Sequence, residues 1–194
     1  EVFCVLKKVP SLIVTNDWFT ALVAAYPKHG HFGEVFKGTK FLHIVHNLDP
    51  TYEGRLYPNP HEGFLEYIHN LPSYLFVDPY WKDRMMNPSR CAILSSDQWA
   101  TVSPSYKQEL LSSSPLASLL KNHPNSFAFP NGIPKEARLQ KIINLCGNDH
   151  LKAKEMLQKK YFKFPELDDS IALFAFVGRI TQQKGVHLIL QTAE

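Results

Sequence analysis

The sequence predicts an α/β chain built on a mostly parallel sheet, and three observations carry that prediction. Short apolar runs rich in β-branched and aromatic residues alternate along the chain with stretches that are apolar at helical spacing. The run 41–45 is continuously apolar, which suits a parallel strand covered on both faces. Turn and cap signals fall at the joins between the two kinds of segment.

The first unit begins with a strand at 12–15. It passes through Asn16-Asp17 into Trp18, Phe19, Leu22, Val23 and Tyr26, which share one face of a helix. Asn16 or Asp17 could cap that helix, and Pro27 ends it or follows closely. The second strand, 41–45, gives out at His46-Asn47. From 49 to 81 the chain is rich in Pro, Tyr and His and reads as a long loop with one short helix at 62–69; loops of that length in a compact domain are usually functional. A helix opened by Pro88, a strand at 98–102 and a helix opened by Ser103-Pro104 continue the alternation. A short strand near Phe127 leads into the turn-rich 130–134, a polar helical stretch follows to 169, and from 170 the strand, loop and helix pattern restarts. We therefore expect part of one domain over 1–130, a connector over 131–169, and the first strand-loop-helix of a second domain over 170–194.

Composition sets bounds on function. The 194 residues are 44% hydrophobic, with 21 Lys+Arg against 18 Asp+Glu, a balance too even to argue for nucleic acid. No apolar run approaches the roughly 20 residues of a membrane span, so neither nucleic acid nor membrane is expected as a partner. Cys4, Cys91 and Cys146 form no metal spacing and read as free thiols of a reducing compartment. The first residues have no signal-peptide layout and the last stop inside a helix pattern, so the chain is expected to be a fragment.

Near the end, "IALFAFVGRITQQKGVHLIL" (171–190) sets Gly178-Arg179 and Lys184-Gly185 between a strand and a helix. Ligands of open α/β sheets bind outside the carboxyl ends of the strands. There glycine admits close approach, Arg179 can fork onto two phosphate oxygens, Lys184 supplies a point charge, and the helix start favours an anion. Such a loop suits a diphosphate; the same spacing equally describes a solvated turn with two surface cations. His43 and His46, three apart along a strand, point to opposite faces and make a poor metal pair, and no metal site is expected.

"VGRITQQKGVHLI" resembles the G-R-(L/I)-x-x-Q-K-G-x-(D/H)-L-I signature of the starch and glycogen synthases, retaining glycosyltransferases of the GT-B fold. In the same order, "TNDWFTAL" resembles the family's H-D-W-(H/Q)-T-A, "HIVHNLDPTYEG" its I-H-N-L-x-Y-Q-G, "TVSPSYKQEL" its T-V-S-P-x-Y-x-x-E-(L/V), and "PNGI" its N-G-(I/V)-D. The flavour is that of the eukaryotic starch synthases.

The resemblance implies a GT-B architecture with Rossmann-like parallel sheets, and transfer of glucose with retention to the non-reducing end of an α-1,4-glucan (starch or glycogen). The donor, a substrate and not a cofactor, would be the nucleotide sugar ADP-glucose or UDP-glucose. It implies that His46 sits against the donor glucose and that Arg179 and Lys184 stabilise the departing diphosphate. Asp17 and Trp18 would lie on the acceptor side, Asn47, Tyr52, Gly54 and Gly178 would line the substrate crevice, and Asn131 and Gly132 the hinge. Localisation would be intracellular, in plastid or cytoplasm.

The sequence departs from the family at Glu53, where Gln is usual, and in a longer third motif. Neither the Lys-x-Gly-Gly-Leu loop nor the C-terminal Glu-x-x-Gly motif occurs, so the 194 residues alone are expected to be inactive. No Asp-x-Asp occurs, and a dissolved metal is expected to be dispensable. Two other readings remain: a related transferase of the sucrose or trehalose type with a small acceptor, and a non-catalytic glucan-binding fragment using aromatics such as Trp18, Tyr52, Tyr57 and Trp81.

Overall fold

A computed structural model of the chain describes residues 8–52, 54–56, 69–77, 86–123 and 125–192. Residues 62–68 of the helix expected at 62–69 and the aromatics Tyr57 and Trp81 lie outside those residues, as does Cys4. The chain divides into two compact units, 1–132 and 133–194.

The first unit is a four-stranded parallel sheet in the order β1 (Leu12–Asn16), β2 (Lys40–Val45), β3 (Gln98–Thr101), β4 (Ser126–Ala128). The strands expected at 12–15, 41–45, 98–102 and near Phe127 are thus all present. Register places Thr15 beside His43, and His43 beside Trp99. On this face Phe41, His43, Val45, Trp99 and Thr101 are buried. On the opposite face Ala100 is buried and Leu42 and Ile44 are half-buried, while Leu12, Val14 and Phe127 are exposed, so among the described residues that face is covered less completely.

Helices supply the cover, beginning at Pro88 and Pro104 as the sequence signals. Asn87 caps α2 (Pro88–Ser95) by accepting from the Arg90 amide, and Ser103 caps α3 (Pro104–Ser113) by accepting from the Tyr106 amide. Proline at the first helical position loses nothing there, since that N–H has no intrahelical partner. With α4 (Ala117–Asn122) these helices enclose a core of Val45, Leu48, Ile93, Trp99, Leu110 and Leu120. A second cluster joins α1 (Ala25–Lys28) to α2 through Ala25, Leu71, Leu75, Phe76, Met86 and Cys91. Cys91 is buried and free, and burial pushes its thiol up to about 12, so it packs as a small hydrophobe.

The helix expected from Trp18 to Tyr26 is not continuous. A single 3-10 turn, Trp18–Thr20, is followed by turns and then the four-residue α1, with Pro27 inside it and not after it. The cause is local: the Thr20 hydroxyl bonds back to both the amide and the carbonyl of Asn16, closing a tight loop where a first helical turn would run.

The second unit holds α5 (Lys135–Cys146), α6 (His150–Leu157) capped by Asp149, a π-helical turn Gln158–Phe162, a 3-10 turn Gln182–Lys184 and α7 (Val186–Thr192). The strand expected at 171–177 is absent: the segment is irregular, with Phe174 96% and Val177 95% exposed. A strand exists only by pairing, and no described residue of this unit belongs to a strand that could accept its backbone bonds. No helix among the described residues is long and apolar enough to cross a membrane.

Candidate active site at the strand ends

The site grows from the carboxyl ends of β1 and β2. The backbone of Asp17 has φ 49° and ψ −174°, a conformation that L-residues pay roughly 1–3 kcal/mol to hold. Its side chain caps no helix, contrary to the sequence expectation. It reaches instead across to β2: Oδ1 accepts from the backbone amides of His46 (2.7 Å) and Asn47 (3.4 Å), and Oδ2 accepts from the Tyr52 hydroxyl (3.4 Å). Charge-assisted bonds to backbone N–H are among the stronger ones available to a carboxylate. One strained residue therefore fixes where the second strand ends.

After β2 the amides of Leu48, Asp49, Thr51 and Tyr52 are each tied. Leu48 donates to the Tyr106 hydroxyl (2.8 Å), Asp49 to the Asn47 side-chain oxygen (2.8 Å), and Thr51 to the Asp49 carboxylate (2.8 Å). The Thr51 hydroxyl also meets that carboxylate, which lowers the Asp49 pKa. Tyr106 comes from the Ser-Pro-x-Tyr segment at the start of α3, and burial raises its pKa. The His46 ring points outward, with Nε2 3.0 Å from Asn16 Oδ1.

Behind these groups lies a buried pair. His43 Nδ1 is 2.9 Å from Thr15 Oγ1, bridging β1 and β2, while its Nε2 and the Trp99 indole N–H meet no partner among the described residues. Burial, reinforced by His46, lowers the His43 pKa to about 4, so this imidazole is neutral near pH 7.

Gly54 packs against Trp18. Gly54 has φ +74°, and a Cβ there would lie 2.4–2.6 Å from indole atoms of Trp18, a distance no side chain can occupy. Phe19 stacks on Trp18 (centroids 4.0 Å, 25°) and meets Tyr52 edge-on (6.5 Å, 72°). A cleft of about 240 Å³ opens among these residues, Thr51 and Arg55.

The structure thus brings together Asp17, Trp18, His46, Asn47, Tyr52 and Gly54 of the sequence-predicted set. Asn131 and Gly132 lie in the exposed stretch after β4. Gly178, Arg179 and Lys184 belong to the second unit. Arg179 and Lys184 are exposed there, and Gly185 (φ +69°) closes the 3-10 turn that carries Lys184. Sequence reasoning did not name Asn16, Phe19 and Tyr106 as site residues; the signal for the first two was their place in the Asn-Asp-Trp-Phe motif. Among the described residues no group of three or more His, Cys, Asp or Glu could hold a metal.

Comparison with known proteins decides the family. A family model described as the starch synthase catalytic domain matches residues 1–122. The chain belongs to the starch synthase catalytic-domain family. Within it, granule-bound starch synthase 1 of Pisum sativum is 30% identical over 93% of this chain and 32% of its own length. The glycogen synthase of Geobacillus thermodenitrificans is 29% identical over 97% of this chain and 40% of its own. Among solved structures, the catalytic domain of starch synthase IV from Arabidopsis thaliana, bound to ADP and acarbose, superposes with a TM-score of 0.67 at 26% identity. That match covers 98% of this chain and 41% of the solved one, a GT-B glycosyltransferase domain, so the expected fold class holds. This synthase-family chain spans about a third to two fifths of the relatives it matches.

Proposed function

We propose that this chain serves, as part of a longer glycosyltransferase, the transfer of glucose from a nucleoside-diphosphate glucose to the non-reducing 4-hydroxyl of an α-1,4-glucan, with retention. The observation that carries the reading is Asp17: a residue in a strained backbone conformation, at the carboxyl ends of parallel strands, whose carboxylate holds the amides of His46 and Asn47 in a family of starch and glycogen synthases.

In this mechanism the glycosidic bond to the diphosphate breaks through a transition state resembling an oxocarbenium ion. Negative charge builds on the departing diphosphate, and Arg179 and Lys184 stabilise it in place of protonation by a carboxylic acid. His46 stands against the donor sugar, its main chain fixed by Asp17 and its ring by Asn16. Asp17, Trp18, Asn47, Tyr52 and Gly54 shape the sugar side of the crevice, Gly178 admits the diphosphate close to the backbone, and Asn131 and Gly132 serve the hinge. ADP-glucose and UDP-glucose are both candidate donors. ADP in the Arabidopsis relative supports a nucleoside diphosphate as the leaving group.

The test is a radiolabelled-glucose transfer assay on the longer enzyme that contains this chain, with glycogen as acceptor and the two donors in parallel. Incorporation from one donor, reduced roughly 10²–10³-fold by Lys184→Ala, is the expected result and names the nucleotide. A folded enzyme that incorporates from neither donor overturns the reading.

A further inference from the structure

Below the strand ends, the covered face of the sheet holds two polar atoms that the mechanism above does not use. His43 and Trp99 are both fully buried, at 0% exposure, and the parallel register sets them side by side on β2 and β3. Residues paired in register point to the same face, on strands roughly 4.8 Å apart. Both side chains therefore enter one layer beneath the helices. Neither His43 Nε2 nor the Trp99 indole nitrogen meets a hydrogen-bonding partner among the described residues. Buried polar atoms of native proteins are almost always paired, with ordered water where the chain supplies no partner. Two such atoms at one register position point to a partner they share.

The chemistry of the two rings narrows that partner. An indole N–H can only donate. On the imidazole, Nδ1 lies 2.9 Å from Thr15 Oγ1, and that hydroxyl donates in turn to the Leu42 carbonyl (3.4 Å). Nδ1 then carries the proton that Thr15 accepts, and Nε2 keeps a lone pair. Burial and the nearby His46 hold the ring neutral near pH 7, so the lone pair persists there. The shared partner must accept from the indole and donate to the imidazole. Water does both, carries no charge into the core, and is small enough for a closed layer. An anion would face the imidazole lone pair, and a cation would face the indole N–H.

We propose that a buried water bridges Trp99 and His43, accepting from the indole N–H and donating to His43 Nε2. With the bond from His43 to Thr15 it completes one polar chain across β1, β2 and β3. Thr15 stands two residues before Asp17, and His43 three before His46. The strand ends that carry the site are thus tied by side chains and water as well as by the backbone ladder.

The experiment is nuclear magnetic resonance on the 15N-labelled chain at neutral pH, with Trp99→Phe as the variant that removes the N–H. In the parent we expect a rotating-frame Overhauser peak, of through-space sign, between the Trp99 indole proton and water. The His43 Nε2 shift should be that of an unprotonated, hydrogen-bonded nitrogen, with no scalar coupling to the Trp99 nitrogen. In Trp99→Phe the His43 Nε2 shift should move while that of Nδ1 stays. A scalar coupling between the two nitrogens without a water peak would mean that the indole bonds straight to the imidazole, and would overturn the proposal. Absence of both signals overturns it too, since the two atoms are then unpaired. A water peak in the parent with an unmoved His43 Nε2 in Trp99→Phe also overturns the bridge, because that water serves the indole alone. Thermal unfolding checks that the variant folds; if it does not, the parent signals decide by themselves.

Discussion

The ends of β1 and β2 and the loop at 178–184 are written in the same sequence grammar, an apolar run followed by a polar turn and then a helix, yet they fold differently. At 12–17 and 40–47 the run becomes paired strand, and the turn is held by the Asp17 carboxylate and the Asn16 amide. At 171–177 the run stays irregular and the turn carries its cations into solvent. The difference lies in neighbours, not in propensity. β2 has a strand on each side; the run at 171–177 has none among the described residues.

Hydrogen exchange gives the largest contrast. Amides of β2 should exchange on the order of 10³-fold more slowly than those of 172–177, because only β2 must open cooperatively to lose its partners. Comparable protection in the two segments would show that the later run pairs after all.

Acid should then separate the units. Burial lowers the His43 pKa from 6.5 to about 4, so the unfolded chain binds a proton in a range where the folded chain does not. Stability from this source is present above pH 6.5 and lost as the pH falls toward 4, by up to roughly 3 kcal/mol. Carboxylates such as Asp97 also act in acid. Burial works to raise the Asp97 pKa, but its bonds to Lys28 and the Phe41 amide leave it lowered, so its contribution is likewise lost as the pH falls. The His43 share is the difference between the parent and His43→Gln in chemical unfolding at a series of pH values. Coincident pH profiles would show that this histidine is not shielded.

Much of this was legible in the sequence. The four strands follow from the apolar runs, the helix start at Pro88 from that proline, and the cap at Ser103 from the proline after it; the Asn87 cap adds to this reading. Asp17, His46 and Tyr52 came from motif resemblance, which named them without saying how they meet. The failures share one cause. Local spacing offers Asn16 or Asp17 as a cap because it shows only the residues ahead of them; the actual amide partners of Asp17, 29 and 30 positions on, come near only when the strands pair. The run at 171–177 was read as a strand on the same local evidence. Tyr106 was missed because its hydroxyl acts on a residue 58 positions away.

Asp17 can be tested on its own terms. Asp17→Ala keeps the strained backbone and removes the acceptor of two amides, and should cost about 2 kcal/mol in denaturant unfolding. Asp17→Gly removes the same acceptor but relaxes φ, and should be the milder of the two by about 1 kcal/mol. Should glycine prove no milder than alanine, the backbone is unstrained and the carboxylate alone explains the residue.

The smallest effects on stability are expected at Lys184 and Asn16, and there the two regions still differ. Lys184 is exposed, so Lys184→Ala should change stability by less than about 0.5 kcal/mol. Asn16→Ala should cost little more, since its bond to His46 is exposed. It should nevertheless alter the histidine. An amide oxygen can only accept, so in the 3.0 Å bond to Asn16 Oδ1 it is His46 Nε2 that carries the proton. Ring nitrogen chemical shifts report that choice directly. They should show a single Nε2-protonated form in the parent and a mixture in Asn16→Ala, with Lys184→Ala unchanged. If the Asn16 variant keeps the parent shifts, the grip of Asp17 on the main chain is enough to orient the ring, and Asn16 acts only through its main chain, which closes the turn with Thr20.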